Sequence, residues 1–219
     1  MQKMKYTLAI FDLDGTLLNT LEDLVRCTNH ALSANGLPVR KPMEVRSFTG
    51  NGIHVLIERS VPAGTDEKTF QKVFEDFTEN YREHCMDNTC PYSGIGQVLQ
   101  NLKDAGIKLA VISNKADFAV QDLCRRFFPG VFNLVFGERP GIRRKPAPDA
   151  VNQVLHSLKV EKSDAVYIGD SEVDVETAKN AGIDLISVLW GFREKNELLS
   201  CGAKNFAANM EELEKLITA

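Results

Sequence analysis

No cysteine pair of the CxxC kind occurs in this chain, and its five cysteines, Cys27, Cys85, Cys90, Cys124 and Cys201, are odd in number and widely spaced. Such spacing speaks against a zinc site or a disulfide framework and fits free thiols in a reducing compartment. The four histidines, His30, His54, His84 and His156, form no HExxH or similar grouping, so a histidine-held metal has no support. Neither sign of charge dominates. With 26 Lys and Arg against 30 Asp and Glu, the net charge of −4 offers nothing to a nucleic acid or a membrane surface. No apolar run approaches a membrane span, and the opening MQKMKYTLAIFDLDG turns acidic too early for a signal peptide. A cytoplasmic protein is the expectation. Internal repeats and low-complexity segments are also missing.

What is there is enough for a full core: 219 residues, 43% of them hydrophobic. The apolar run YTLAIF over residues 6–11 is short enough for a buried strand, and FDLDGT follows it. Asp12 and Asp14 therefore leave a strand end two residues apart, in a turn that Gly15 permits. Carboxylates held so close repel unless a cation or a shared proton stands between them. On these six residues alone, an active site and a helix-capping βα loop are equally good readings.

Downstream the pattern turns helical for about 65 residues, over roughly 20–35, a short segment from Lys41-Pro42, 53–60 and 66–85. Phe70, Val73, Phe74, Phe77 and Tyr81 share one face of the last helix, the spacing of a helix–helix core. From Pro91 helix and strand alternate: helices at 94–105, 117–127, 148–158, 172–181 and 209–218, strands at 108–113, 132–136, 165–168, 184–189 and 204–207. Repeated βα units of this length imply a mostly parallel sheet with helices on both faces. The expected architecture is an α/β core over 1–16 and 86–219, with a helical subdomain inserted at 17–85.

Ligands of such sheets bind beyond the carboxyl ends of the strands. Asp12, Asp14, Ser113, Asp170 and Asp174 all fall there, and Lys145 lies in a loop that could join them. Each alone reads as a cap or a solvated charge; arriving together, they read as a site. The chemistry they suit is phosphoryl transfer. A phosphate dianion would be repelled by this acidic edge unless Mg²⁺, which prefers oxygen ligands and keeps part of its water, reversed the charge. Asp12 could then attack phosphorus, while Asp14 protonates the leaving alkoxide and later deprotonates water. Ser113 would hold phosphate oxygens, and Lys145 would keep Asp12 ionised and balance the transferring charge.

DLDGT, a hydroxyl residue after an apolar strand, KP in a later loop and GDSEVD, in this order, resemble the haloacid dehalogenase superfamily. The resemblance spans essentially the whole chain. It implies a Rossmann-like core with an α-helical cap inserted after the first motif. By matching position, Asp12 would be the nucleophile, Asp14 the acid/base, and Ser113 and Lys145 the phosphate-binding pair, with Leu13 and Asn114 beside them. Asp12, the Asp14 carbonyl and Asp170 would ligate Mg²⁺, with Asp174 in support. Dehalogenases and phosphonoacetaldehyde hydrolases of the superfamily lack the acid that Asp14 supplies, so the resemblance is to its phosphatases. TGNGIHVLIERSV, PYSGI and VISNK are most similar to the phosphoglycolate phosphatases, which would make Gly50, Asn51 and Gly52 a specificity loop offering backbone N–H groups to a substrate carboxylate. A plain glycine turn between two helices accounts for those three residues equally well. Arg46, Arg59 and His54 are further anion candidates. Ser113 stands where close relatives often have Thr, which keeps the hydroxyl. The partner expected is a small phosphorylated metabolite. Rival readings are a pyrophosphatase or sugar-phosphate phosphatase of the same superfamily, and, in other classes, a phospho-accepting receiver or an inactive partner-binding relative. A receiver carries no large helical insertion, and its acceptor Asp lies on a later strand than its acidic pair.

Overall fold

The computed structural model describes residues 5–219; residues 1–4, part of the expected core segment, lie outside the described residues. The chain forms two compact units, one running to Leu18 and resuming at Pro91, the other Asn19–Cys90. In order, the elements are β1 (Leu8–Phe11), β2 (Leu18–Asn19), α1 (Leu21–Ala34), α2 (Pro42–Phe48), α3 (Gly52–Ser60), α4 (Glu67–His84) and β3 (Cys90–Pro91). There follow α5 (Ile95–Asp104), β4 (Lys108–Ala116), α6 (Asp117–Phe127), β5 (Leu134–Glu138) and α7 (Asp149–Leu158). The chain closes with β6 (Ala165–Gly169), α8 (Glu172–Ala181), β7 (Asp184–Val188), α9 (Lys195–Ser200), β8 (Phe206–Ala207) and α10 (Met210–Thr218).

Six strands make one parallel sheet in the order β5-β4-β1-β6-β7-β8. The sheet is thus an α/β core of the Rossmann-like kind. Leu8, Ala9, Ile10 and Phe11 are all fully buried, which is why this strand reads as a continuous apolar run rather than an alternation. Leu8 and Ile10 meet Ala110, Ile112 and Tyr167 of the flanking strands and Val151 and Val154 of α7. From β1 the chain moves outward to β4 and β5, then crosses back to β6 on the other side. The topological switch point therefore lies at β1, where ligands of such sheets bind.

The helical unit has its own core, in which Leu24, Cys27, Ala31 and Leu32 of α1 pack with Val73, Phe77 and Tyr81 of α4 and with Val45, Leu56 and Ile57. Its last turn is held by a buried carboxylate. Asp23 accepts hydrogen bonds from the Asn88 and Thr89 amides (3.0 and 2.9 Å), the Asn88 side chain (3.0 Å) and the Thr89 hydroxyl (2.9 Å). These bonds bind residues 88–89 to α1, so the unit runs to Cys90 rather than to 85. Asp23→Ala strands the buried amide and hydroxyl of Thr89 and releases the Asn88 donors beside them. An expected loss of about 2–4 kcal/mol follows, measured by urea unfolding against wild type.

Burial pushes the thiols of Cys27 and Cys124 up to about 12, which leaves both unreactive. All five cysteines are free. Among the described residues, no helix is long and apolar enough to cross a membrane. The strand expected at 108–113 continues to Ala116, and α9 has no counterpart in the sequence reading because six residues are too few to show a helical period.

Candidate active site

Strand register assembles the site. Phe11 lies level with Val111 on one side and with Ile168 on the other, so the residues that follow each strand emerge side by side. Those residues are Asp12 and Asp14 after β1, Ser113 to Lys115 at the end of β4, and Asp170 after β6. The Asp12 amide continues the ladder by donating to the Ile168 carbonyl (2.8 Å). Leu13, fully buried, turns the chain: its carbonyl accepts from the amides of Leu17 and Leu18 (both 3.0 Å). Gly15 has φ +82°, and a Cβ there would sit 2.4 Å from an oxygen of Asp170. Gly191 is equally constrained, since its Cβ would lie 2.2 Å from that of Asp170. Both glycines are needed because the backbone passes directly over a carboxylate.

Lys145 reaches the same place from the β5–α7 loop. The Asn114 side chain clamps its backbone, accepting from the Lys145 amide (2.8 Å) and donating to its carbonyl (3.0 Å). The Lys145 ammonium then stands 2.9 Å from Asp12 Oδ1 and 2.7 Å from Asp174 Oδ1. Asp174 lies in the first turn of α8, and its Oδ2 accepts from the Ser171 hydroxyl (2.6 Å) and the Asp170 and Ser171 amides (3.2 and 3.1 Å). Capping and site-building are therefore one arrangement here, not rivals.

Asp12, Asp170 and Asp174 each bring an oxygen within 4.8 Å of the others, and all three are buried. Among the described residues the one ammonium paired with this trio is that of Lys145, on Asp12 and Asp174, so negative charge is in excess. Burial, and then the Asp174 charge, hold Asp12 well above the usual carboxylate range although Lys145 pulls it down. Burial and Asp174 likewise push Asp170 up to about 7, against the Phe192 amide and the Thr16 hydroxyl. Burial works against the Lys145 charge, yet Asp12 and Asp174 keep its pKa well above the ordinary Lys value. An all-oxygen, buried cluster short of positive charge is a donor set that fits a hard divalent cation.

The haloacid dehalogenase-like hydrolase family model matches residues 9–188, a span that holds every residue of this cluster. The chain belongs to that family. It is 32% identical over 196 residues to a phosphoglycolate phosphatase of Aquifex aeolicus, covering 85% of this chain and 86% of the relative. An N-acetylmuramic acid 6-phosphate phosphatase of Pseudomonas aeruginosa is 27% identical over 200 residues, covering 88% of this chain and 85% of that one. A solved structure from Lactobacillus delbrueckii subsp. bulgaricus, provisionally assigned as a phosphoglycolate phosphatase, superposes with a TM-score of 0.94. It is 37% identical and covers 99% of this chain and 100% of that one.

Within this haloacid dehalogenase-like core the structure brings together Asp12, Asp14, Ser113, Asn114, Lys145, Asp170 and Asp174. It assigns Asn114's side chain to the Lys145 backbone, and the Ser113 hydroxyl accepts from the Lys115 amide (3.2 Å). Gly50, Asn51 and Gly52 lie in the helical unit at the α2–α3 junction, where Gly50 and Gly52 have φ of 109° and 83°. His54 packs its ring 5.0 Å from Phe70 and 5.9 Å from Phe74. Arg143, in the loop before Lys145, pairs with Asp149 at 3.0 Å on an exposed surface.

Three neighbours of the cluster escaped the sequence reading. Thr16 donates its hydroxyl to Asp170 Oδ1 (3.0 Å), and the Phe192 amide donates to Asp170 Oδ2 (2.7 Å). Lys115, buried, donates to Asp14 Oδ1 at 2.7 Å. Thr16 and Lys115 stand inside the quoted motifs DLDGT and VISNK and could have been found there. A backbone amide such as that of Phe192 leaves no mark in a sequence.

Proposed function

We propose that the chain hydrolyses a small phosphate monoester, most readily 2-phosphoglycolate, through an aspartyl phosphate formed on Asp12. The observation that carries this is the buried meeting of three carboxylates with Lys145 at the switch point of the sheet. Asp12, the Asp14 carbonyl and Asp170 would hold Mg²⁺, with Asp174 orienting Lys145 and the Asp170 loop. When bound, the ion supplies the positive charge that lets a phosphate dianion enter an acidic pocket.

Asp12 forms its bond to phosphorus as the ester P–O bond breaks, and Asp14 gives its proton to the departing alkoxide. Water then attacks the phosphoryl group, Asp14 takes the water's proton, and the Asp12–phosphorus bond breaks to release phosphate. Lys145 and the Ser113 hydroxyl hold the transferring oxygens. The similarity to phosphoglycolate phosphatases over nearly the whole chain supports the choice of substrate. Leaving-group selection by Gly50, Asn51 and Gly52 of the helical unit belongs to the same proposal.

The test is kcat/KM over phosphoglycolate, pyrophosphate, hexose phosphates and N-acetylmuramic acid 6-phosphate. Phosphoglycolate should rank first. A clear preference for an ester without a carboxylate would reassign the substrate and leave the core chemistry standing. Chelation should bring turnover to background, and Mg²⁺ should raise the thermal midpoint in proportion to the logarithm of its concentration once the site is saturated. A rate indifferent to chelation would remove the metal from the proposal.

A further inference from the structure

Asp14 is the one carboxylate of the DLD turn that lies outside the buried acidic trio, and it has a cation of its own. Lys115 stands two residues beyond Ser113 on the same strand end, its side chain 4% exposed, with Nζ 2.7 Å from Asp14 Oδ1. A lysine this deeply buried is rare unless it is paired, because desolvating an ammonium is costly. Lys145 serves the trio, so the two lysines divide the site between them: one for Asp12 and Asp174, one for Asp14. The β4–β5 ladder shifts register between Ile112 and Ala116, a stretch that includes Lys115. Irregularities of this kind re-aim side chains at sheet ends.

We infer that Lys115 is a positioning residue for the leaving-group step: it fixes the Asp14 carboxylate at the place where the ester oxygen departs. The inference rests on Asp14 being the acid/base of the proposed reaction. A half-buried carboxylate left to rotate would meet the ester oxygen in only part of its orientations. Small misplacements of a proton donor cost large factors in rate. Lys115 itself touches no reacting atom in this scheme, so its removal should injure only the step that Asp14 performs.

The experiment is a double-mutant cycle of Asp14→Asn and Lys115→Met in the full chain, read on phosphoglycolate and on nitrophenyl phosphate. Nitrophenolate departs with little help from an acid. Lys115→Met should lower kcat on phosphoglycolate by about tenfold or more, with a much smaller loss on nitrophenyl phosphate. The double variant should be no slower on phosphoglycolate than Asp14→Asn alone, since both substitutions remove one interaction. Losses that multiply in the double variant, or equal losses on the two substrates, would overturn the inference. Lys115→Gln, nearly as long and uncharged, guards against a variant that does not fold. The same split between substrates is expected from it, and unfolding of both variants would assign Lys115 to stability and overturn the positioning role. If Asp14→Asn shows no split between substrates, the acid/base reading of Asp14 is what has failed. A split in Asp14→Asn without one in Lys115→Met defeats the inference alone.

Discussion

Asp12→Asn should lower turnover by on the order of 10⁴-fold or more, on phosphoglycolate and nitrophenyl phosphate alike. An amide of the same shape has no lone pair fit to attack phosphorus, and no better leaving group can compensate for a missing nucleophile. That indifference to the leaving group separates Asp12 from Asp14. The fold should survive, because Asn keeps the volume and an oxygen that can accept from Lys145 at the present 2.9 Å. Without the ion, the variant should unfold no earlier than wild type. Burial first, and then the Asp174 charge, work against an ionised Asp12, and an uncharged amide meets neither cost. Thermal unfolding in chelator, alongside kcat, checks both halves. Retained turnover would end the nucleophile assignment, and a sharp drop in stability would mean that Asp12 holds the turn together rather than straining it.

The parallel sheet was legible because its central strands are apolar runs, two of which, β1 and β6, end at an acidic turn, and strand ends are where the rules of such sheets place ligands. Asp12, Ser113 and Asp170 can be set at one edge from the sequence alone, since each directly follows or closes such a run. What could not be read was how the edge is wired. Asn114 spends its amide on the backbone of Lys145, 31 residues away, and nothing in either residue type announces that pairing. Lys115 stands in VISNK, but nothing in that motif shows that its ammonium meets Asp14, 101 positions away. The end of the helical unit was misplaced for a similar reason. Asp23 looks like a first-turn acid of α1, and its bonds to residues 88–89 span 65 and 66 positions. Local periodicity finds elements. It does not find partners that tertiary packing chooses.

Lys145→Met is expected to be the most costly single change to stability in this site. The methionine fills most of the space and removes the ammonium that faces Asp12 and Asp174 at 2.9 and 2.7 Å. Among the described residues no other ammonium pairs with these three buried carboxylates, and Arg193, whose charge reaches Asp170, is held by Glu172 at 2.7 Å. Breaking a buried pair by deleting one partner costs about 3–5 kcal/mol, because the remaining charge stays desolvated. For a chain of this size that is a fall of about 6–20 °C in the thermal midpoint. Turnover should be lost with it, since the transferring phosphoryl group loses its main protein cation. The excess of negative charge also makes a prediction of sign. Mg²⁺ should raise the midpoint of Lys145→Met by more than it raises that of wild type, because the ion meets three unopposed carboxylates instead of three less one. A loss of stability that Mg²⁺ does not reduce would place the ion's site away from Asp12 and Asp170. No loss at all would mean that the carboxylates surrender their charge once Lys145 is gone, and that the ammonium is what keeps Asp12 a nucleophile.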